Sequence, residues 1–185
     1  MAILIYETGR RSYTIRDVNG NELKKTGRYY TNRNATANLI RYITRTRDHE
    51  DRAAELIGYG GLGISLFSNP EQNIREMEYV QSYYDFEKFG RRRMYHFILS
   101  YLPEETAWLN WDWELLYRIT MEQCMVFYNK GHQVLFGIHY DPEKFLHVHF
   151  AVNAVSFTTF KKFRYYKEDS IEMGSIMNNI FIGML

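Results

Sequence analysis

The strongest constraint on the fold is a stretch of alternating side-chain character that runs from residue 133 to residue 157. Successive side chains of a β-strand point to opposite faces of a sheet, so a period of two predicts strands at 133–141 and 145–157. A short connection that contains Asp141-Pro142 separates them, which favours antiparallel pairing. We therefore expect two neighbouring strands in one antiparallel sheet.

The same alternation separates a histidine-bearing face from an apolar face. His147, His149 and Asn153 fall on one side of the second strand, and antiparallel pairing sets His139 beside His147. Three neutral imidazoles on rigid strands can hold a divalent cation and leave coordination positions open, as catalytic sites do. Asp141 is close enough in sequence to accept an N–H from a liganding ring, and Asn153, on the histidine face, could bond to a group behind the metal ligands or to DNA. A His-X-His pair alone also occurs by chance on exposed sheets, but the additional residues favour a metal site.

The rest of the chain predicts one hairpin, four helices and further strands. Asn19-Gly20 between extended segments is a strong hairpin signal. We predict strands at 3–7 and 94–101, an extended segment ending at Phe67, a hairpin at 13–25, and helices that begin near Asn34, Asn69-Pro70, Asn110 and Ser170. This order predicts an α+β fold, with a central antiparallel sheet and helices packed on one of its faces.

Length and composition predict one domain of residues 1–185, in which the hairpin around 13–25 is an N-terminal extension. No apolar run reaches membrane-spanning length, so we expect no membrane insertion. The single cysteine, Cys124, and the absence of an N-terminal apolar signal favour the cytoplasm.

Charge and aromatic content permit a nucleic-acid partner without requiring one. The net charge is only +1, but basic residues cluster, and 16 tyrosines often lie near Arg or Lys. Such a mixture suits base stacking combined with phosphate contact, although a tyrosine-rich core with solvated charges gives the same composition. The predicted phosphate contacts are Arg41, Arg45, Arg91, Arg92, Lys161 and Lys162.

Three segments together resemble a known family. His139-Tyr-Asp141, His147-Val-His149 and Asn153 resemble the metal motif of conjugative relaxases, the mobilisation nucleases of the HUH (His-hydrophobic-His) superfamily, in its MobA/VirD-type, MOB-P-like branch. LIRYITR at residues 39–45 is similar to the family's first motif, and HFILSYLPEE at residues 96–105 is similar to the strand before its central helix. The resemblance covers residues 39–153 and implies the HUH nuclease fold.

The resemblance also implies an activity and its participants. Tyr42 would attack the DNA backbone, form a 5′-phosphotyrosine link and later rejoin the strand, with Asp141 orienting a metal ligand or taking the tyrosine proton. The implied cofactor is Mn²⁺ or Mg²⁺, and the implied partners are single-stranded DNA at a transfer origin (oriT) and accessory relaxosome and coupling proteins. The setting is the cytoplasm of a bacterium that carries a plasmid or integrative element. Because relaxases generally continue further, we expect the chain to be the N-terminal part of a longer protein.

Other functions stay open at this point. Replication initiators of the same superfamily place the nucleophile after the histidines, often as Tyr-X-X-Lys, and Tyr165-Tyr166-Lys167 lacks that spacing. Tyr83-Tyr84 is a further rival to Tyr42. The alternatives are a rolling-circle replication initiator or HUH transposase, a non-catalytic nucleic-acid-binding module with a structural metal, and a small-molecule metal hydrolase.

Overall fold

The computed structural model of the protein describes residues 2–7, 10–16, 22–28, 30–46, 55–65, 68–89, 91–141, 145–162 and 167–185. The strands within this part are β1 Ile3–Glu7, β2 Arg10–Arg16, β3 Glu22–Arg28, β4 Leu56–Leu62, β5 Met94–Ser100, β6 His132–Asp141 and β7 Phe145–Ser156. The helices are α1 Ala35–Ile43, α2 Pro70–Gln81, α3 Phe86–Phe89, α4 Pro103–Trp108, α5 Trp113–Tyr128 and α6 Lys167–Met184. No helix in the described ranges combines the length and apolar character needed to cross a bilayer.

Five strands form one antiparallel sheet in the order β1-β5-β7-β6-β4. The predicted pairing of its two longest strands, β6 and β7, is confirmed in register, because His139 lies opposite His147 and Gly137 lies opposite His149. The predicted hairpin is also present, as a separate two-stranded sheet of β2 and β3. The Asn19-Gly20 turn lies outside the described residues.

Helices cover both faces of the five-stranded sheet. Helices α5 and α6 contribute to the larger core, which includes Phe136 and Phe150, and α1 and α2 pack on the opposite face over Leu135 and Ala151. The α+β class is therefore confirmed, but the prediction of a single covered face is wrong. The polar residues of the histidine face suggested exposure to solvent. Instead all of them except the half-buried His147 are buried, and Asn153 bonds to Gln133 and to Gln81 of α2.

Helices α2 and α5 each begin at a residue whose side chain caps the helix, whereas Asn34 precedes α1 without a side-chain capping bond. Asn69 accepts a hydrogen bond from the Gln72 backbone N–H at 2.9 Å, as predicted for the start of α2. Helix α5 begins later than predicted, because Asp112 is the cap and accepts from the Leu115 N–H at 2.8 Å. Asn110, the predicted start, precedes this cap and has a left-handed backbone with φ of 46°.

Asn153 connects α2 to the sheet in the buried interior. Its Nδ2 donates to the Met77 carbonyl at 3.0 Å and to Gln133 Oε1 at 2.8 Å, while its Oδ1 accepts from Gln81 Nε2 and from the Val155 N–H, both at 3.1 Å. The residue is fully buried and its amide is saturated by these bonds. These bonds engage the whole amide, and none of them is to a histidine of the cluster.

We expect Asn153→Ala to lower the free energy of unfolding by about 3 kcal/mol, because it leaves buried amide and carbonyl groups without partners. Urea unfolding followed by circular dichroism measures the change. The matched control is Asn179→Ala, on the exposed side of α6, which should shift the free energy by less than about 0.5 kcal/mol. Equal unfolding midpoints for the two variants would show that the amide network is not stabilising.

Candidate functional site: a histidine cluster beside a surface tyrosine

Three imidazoles meet where the hydrogen-bonded strands β6 and β7 approach their connection. The ring centroids lie 5.4 Å apart for His139 and His147, 4.6 Å for His139 and His149, and 4.9 Å for His147 and His149. One nitrogen from each ring lies within 4.8 Å of the other two. His139 and His149 are buried and His147 is half-buried, so the cluster opens toward solvent on one side.

A fourth histidine, His96 on β5, fixes the orientation of His149. His149 Nδ1 lies 2.8 Å from His96 Nε2, and His96 Nδ1 lies 2.7 Å from the Tyr30 hydroxyl. His149 Nε2 is buried without a hydrogen-bond partner. A hydrogen on that atom would be a buried donor with no acceptor, so the favoured tautomer donates from Nδ1 to His96 and leaves a lone pair on Nε2.

His139 is oriented by the end of helix α1. Its Nε2 lies 2.6 Å from the Ile43 carbonyl oxygen, which can only accept, so Nε2 carries the hydrogen and Nδ1 carries the lone pair. Gly137 permits this approach, since a Cβ there would lie 2.7 Å from the Ile43 oxygen and 2.5 Å from its Cγ2. The glycine thus allows α1 to touch the sheet at the level of the histidines.

Both buried imidazoles are held in the neutral form. Burial lowers the pKa of His139 to about 3, against a smaller opposing effect of its bond to Ile43. The pKa of His149 is also well below its usual value, first because of burial and then because of the neighbouring His96 and the other rings of the cluster. Neutral imidazole is the form that ligates metals.

The residues present fit a divalent cation. The unpartnered, buried Nε2 of His149 faces no protein acceptor, and the second nitrogen of His139 donates to a backbone carbonyl, as is usual for metal-bound histidines. Three nitrogen donors from two adjacent strands leave further coordination positions available for a substrate. The cluster can therefore hold an ion, which would replace the 3.0 Å contact between Arg45 Nη2 and His139 Nδ1.

Tyr42 lies directly beside the histidines. Its ring centroid is 5.5 Å from that of His149 and 6.1 Å from that of His96. The side chain is 40% exposed, so it borders the cluster and also contacts solvent. Helix α1 therefore brings the predicted tyrosine to the predicted metal residues.

Arg45 belongs to this site rather than to the outer surface. It follows α1 with a left-handed φ of 53°, which is unusual for a residue with a long side chain. Its guanidinium carbon lies 5.0 Å from the Tyr42 ring centroid, and its Nη2 lies 2.7 Å from Glu55 and 3.0 Å from His139 Nδ1. The side chain is only 8% exposed, and its Nε has no hydrogen-bond partner.

The structure also locates Asp141, Arg41 and Arg91, three further residues predicted from the sequence. Asp141 ends β6 and is half-buried, but both ring nitrogens of His139 bond elsewhere, so Asp141 does not fix that tautomer. Arg41 forms a two-pronged ion pair with Glu71 on α2. Arg91 pairs with Glu87 on the surface.

Arg92 and Lys162 lie at the same end of β7 although 70 positions separate them in sequence, because the Arg93 carbonyl accepts from the Ala154 N–H at 3.0 Å and Lys162 bridges Val155. Burial, and then the charge of Arg92, lower the pKa of Lys162. The guanidinium of Arg92 lies over the rings of Tyr30, at 5.6 Å, and Tyr95, at 5.2 Å. Lys161 is exposed beside this pair. Three of the predicted phosphate contacts thus share one surface.

Sequence reasoning missed Tyr30, Glu55 and the contact of His96 with the cluster. His96 bonds directly to His149 of the cluster. The alternation within β5 puts His96 and Ser100 on one face, but its relation to His149 depends on β5 pairing with β7. That pairing is not encoded in any local pattern.

A family model described as relaxase, MobA/VirD2-like, nuclease domain matches residues 42–182. The comparisons with curated proteins and with solved structures gave no match. The fold and the histidine cluster define a nuclease domain of the HUH type, consistent with the predicted resemblance. The chain belongs to the relaxase family, so it is a DNA endonuclease that nicks DNA and binds single strands, in a family that generally uses a divalent metal. Its assignment to the MOB-P branch stays a prediction.

Without added metal, we expect the free energy of unfolding to fall by about 2 kcal/mol between about pH 7 and about pH 5 from His139 alone. The folded pKa is about 3, so the unfolded chain, with an ordinary histidine pKa, binds the proton first. His149 acts in the same direction. Urea unfolding at several pH values should show a shallower dependence for His139→Gln, whereas identical slopes would contradict the neutral, buried state of this ring.

Proposed function

We propose that this domain cleaves one DNA strand at a transfer origin by tyrosine transesterification, with Tyr42 as the nucleophile. The observation that carries the proposal is the contact between Tyr42 and His149, whose ring centroids are 5.5 Å apart. The tyrosine is partly exposed, while the nitrogens beside it converge within 4.8 Å. A DNA strand on this surface can meet both groups at once.

His139, His147 and His149 would hold Mn²⁺ or Mg²⁺. When bound, the ion offsets the negative charge that builds on the scissile phosphate. The protein's own contribution is orientation. His96 holds His149 with an unpartnered lone pair on Nε2, and the Ile43 carbonyl directs the lone pair of His139 to Nδ1, where an ion would replace the contact from Arg45. All-nitrogen ligation also accepts later transition metals in vitro.

Arg45 would contact the scissile phosphate. It offers a cation beside the Tyr42 ring, and its buried Nε has a hydrogen to donate. Glu55 and the unusual backbone of Arg45 keep the guanidinium directed at the site. A positive charge there also favours the oxyanion that Tyr42 develops as it loses its proton.

The chemical step conserves phosphodiester bonds. The Tyr42 oxygen forms a bond to phosphorus while the bond from phosphorus to the 3′ oxygen breaks. The phenol loses its proton, for which Asp141 is the proposed acceptor, and the departing 3′ oxygen takes up a proton to become a hydroxyl. The product is a 5′-phosphotyrosine link of similar energy to the bond it replaced, so the reverse step rejoins the strand without ATP.

The alternatives differ in nucleophile or in activity. A replication initiator or transposase would use a tyrosine after the histidine motif, where Tyr165 and Tyr166 lie outside the described residues. A non-catalytic binding module would bind oligonucleotides without a covalent product. The family match to relaxase nuclease domains and the position of Tyr42 favour the relaxase.

The proposal extends to the cellular setting. It assigns the chain to plasmid or integrative-element mobilisation in a bacterial cytoplasm, with accessory relaxosome and coupling proteins at the origin. We also propose that it acts as a single nuclease domain carrying the β2–β3 hairpin as an extension.

Tyr42→Phe should abolish the covalent protein–DNA adduct, because the ring is kept and only the attacking oxygen is removed. The assay incubates the protein and Mn²⁺ with an oligonucleotide that spans the origin of the encoding element and carries a phosphorothiolate at the nick. Mass spectrometry then identifies the modified residue. Noncovalent binding should change by less than about twofold, since one exposed hydroxyl is lost.

The matched controls are Tyr83→Phe and the double variant Tyr165→Phe/Tyr166→Phe. Each should form the adduct at the wild-type level. An adduct that survives in Tyr42→Phe and disappears in the double variant would instead support the replication-initiator alternative. The absence of an adduct in every form, with DNA binding intact, would support the non-catalytic module.

His149→Ala should eliminate binding of Mn²⁺ measured by isothermal titration calorimetry, because it removes a ligand. His96→Gln should weaken binding by about 10- to 100-fold, the usual effect of losing a group that orients a ligand. Both variants are compared with His132→Gln, a buried histidine that bonds to the Asn153 carbonyl outside the cluster. Equal affinities for wild type and His96→Gln would contradict the orienting role of His96.

A further inference from the structure

Three exposed aromatic side chains form a continuous surface, here named the aromatic platform, at the end of α2. Tyr79, Tyr83 and Phe160 are 65%, 55% and 44% exposed. Tyr83 lies between the other two rings, with centroid distances of 5.3 Å to Tyr79 and 4.9 Å to Phe160. The Tyr83 hydroxyl donates to the Tyr79 hydroxyl at 2.6 Å, which fixes the angle between the two rings.

Phe160 reaches the platform with a strained backbone conformation. Its φ is 52°, in the left-handed region that a bulky side chain rarely adopts. The preceding turn is held by Ser156, whose carbonyl accepts from the Phe160 N–H at 2.9 Å and whose Oγ accepts from the Thr158 and Thr159 N–H groups. Strained residues of this kind concentrate at ligand-binding positions.

A basic cluster, defined as Arg92, Lys161 and Lys162, borders the platform. Lys161 and Lys162 directly follow Phe160 in the chain, and Lys162 pairs with Val155 at the edge of β7. Arg92 lies at the same end of β7 as Lys162, because the Arg93 carbonyl accepts from the Ala154 N–H at 3.0 Å while Lys162 bridges Val155. Two cations held close together favour a polyanion between them.

The cluster and the platform connect to the site through Tyr30. The Arg92 guanidinium lies 5.6 Å from the Tyr30 ring centroid, and the Tyr30 hydroxyl bonds to His96. His96 in turn lies beside Tyr42, with ring centroids 6.1 Å apart. Along β7, His149 and Val155 are six residues apart, or about 20 Å at about 3.3 Å per residue. A helically stacked strand rises about 3.4 Å per nucleotide and an extended single strand rises further, so a few nucleotides cover this distance.

We infer that the aromatic platform and the basic cluster bind the unpaired bases and phosphates of the DNA strand a few nucleotides from the scissile phosphate. The inference rests on the proposed function, since it uses the strand that Tyr42 would cleave. Flat, exposed rings stack on bases of any sequence, and adjacent cations follow the backbone. A duplex would keep its base faces stacked internally, so the platform selects single strands.

The experiment compares two probes of about twenty nucleotides by fluorescence anisotropy. One is a fluorescein-labelled oligothymidylate, and the other has the same backbone with abasic sites throughout. The variants are Tyr83→Ala, Phe160→Ala and Lys161→Ala. Trp108→Ala removes an aromatic side chain of similar exposure, 57%, from α4 and is the matched control.

Tyr83→Ala and Phe160→Ala should each weaken oligothymidylate binding by about 5- to 150-fold and leave abasic binding nearly unchanged, because only the base contributes stacking. Lys161→Ala should weaken both probes and reduce the slope of log affinity against log salt by about 0.7. Trp108→Ala should match the wild type with both probes.

Two results would overturn the inference in distinguishable ways. If Tyr83→Ala and Phe160→Ala bind oligothymidylate like the wild type, or lose the same factor with both probes, the platform does not stack on bases, whereas the Tyr42 adduct is unaffected. If the wild-type chain binds neither probe, the platform and the proposed function are both wrong.

Discussion

The pairing register of β6 and β7 determines the candidate site. With His139 opposite His147 and Gly137 opposite His149, three imidazoles share one face, and the glycine leaves space for the end of α1. A shift of one residue would send the histidines of one strand to the other face. It would also replace Gly137 with a side chain and push Ile43, and with it Tyr42, away from the sheet. One register therefore aligns the three histidines, the Ile43 carbonyl that orients His139, and Tyr42.

Burial sets the charge and the hydrogen positions of the aligned histidines. The histidine face is covered by α1 and α2, so His139 and His149 stay neutral and their hydrogen positions are set by fixed partners, Ile43 and His96. The same covering requires the polar residues further along the face to bond to one another, which Asn153 accomplishes. One layer of buried polar side chains between the sheet and helices α1 and α2 thus both stabilises the fold and orients the histidines.

Sequence alone predicted the parts of the fold that have local periodicity. The alternation along β6 and β7 gave their pairing, and capping at Asn69-Pro70 gave the start of α2. Prediction from sequence failed for features whose partners are distant in the chain. The helices on the second face of the sheet, the contact of His96 with His149 and the burial of Arg45 all depend on long-range packing. Arg45 was predicted at a phosphate from its charge, and its place beside Tyr42 and His139 follows only from the left-handed turn after α1.

The central claim is that His139, His147 and His149 hold one divalent ion beside Tyr42, and anomalous diffraction from crystals grown with MnCl₂ tests it most directly. We predict a single strong manganese peak within coordination distance of one nitrogen of each ring, on the side of His149 that faces Tyr42. A peak bound elsewhere, or no peak while the three rings keep their positions, would contradict the account.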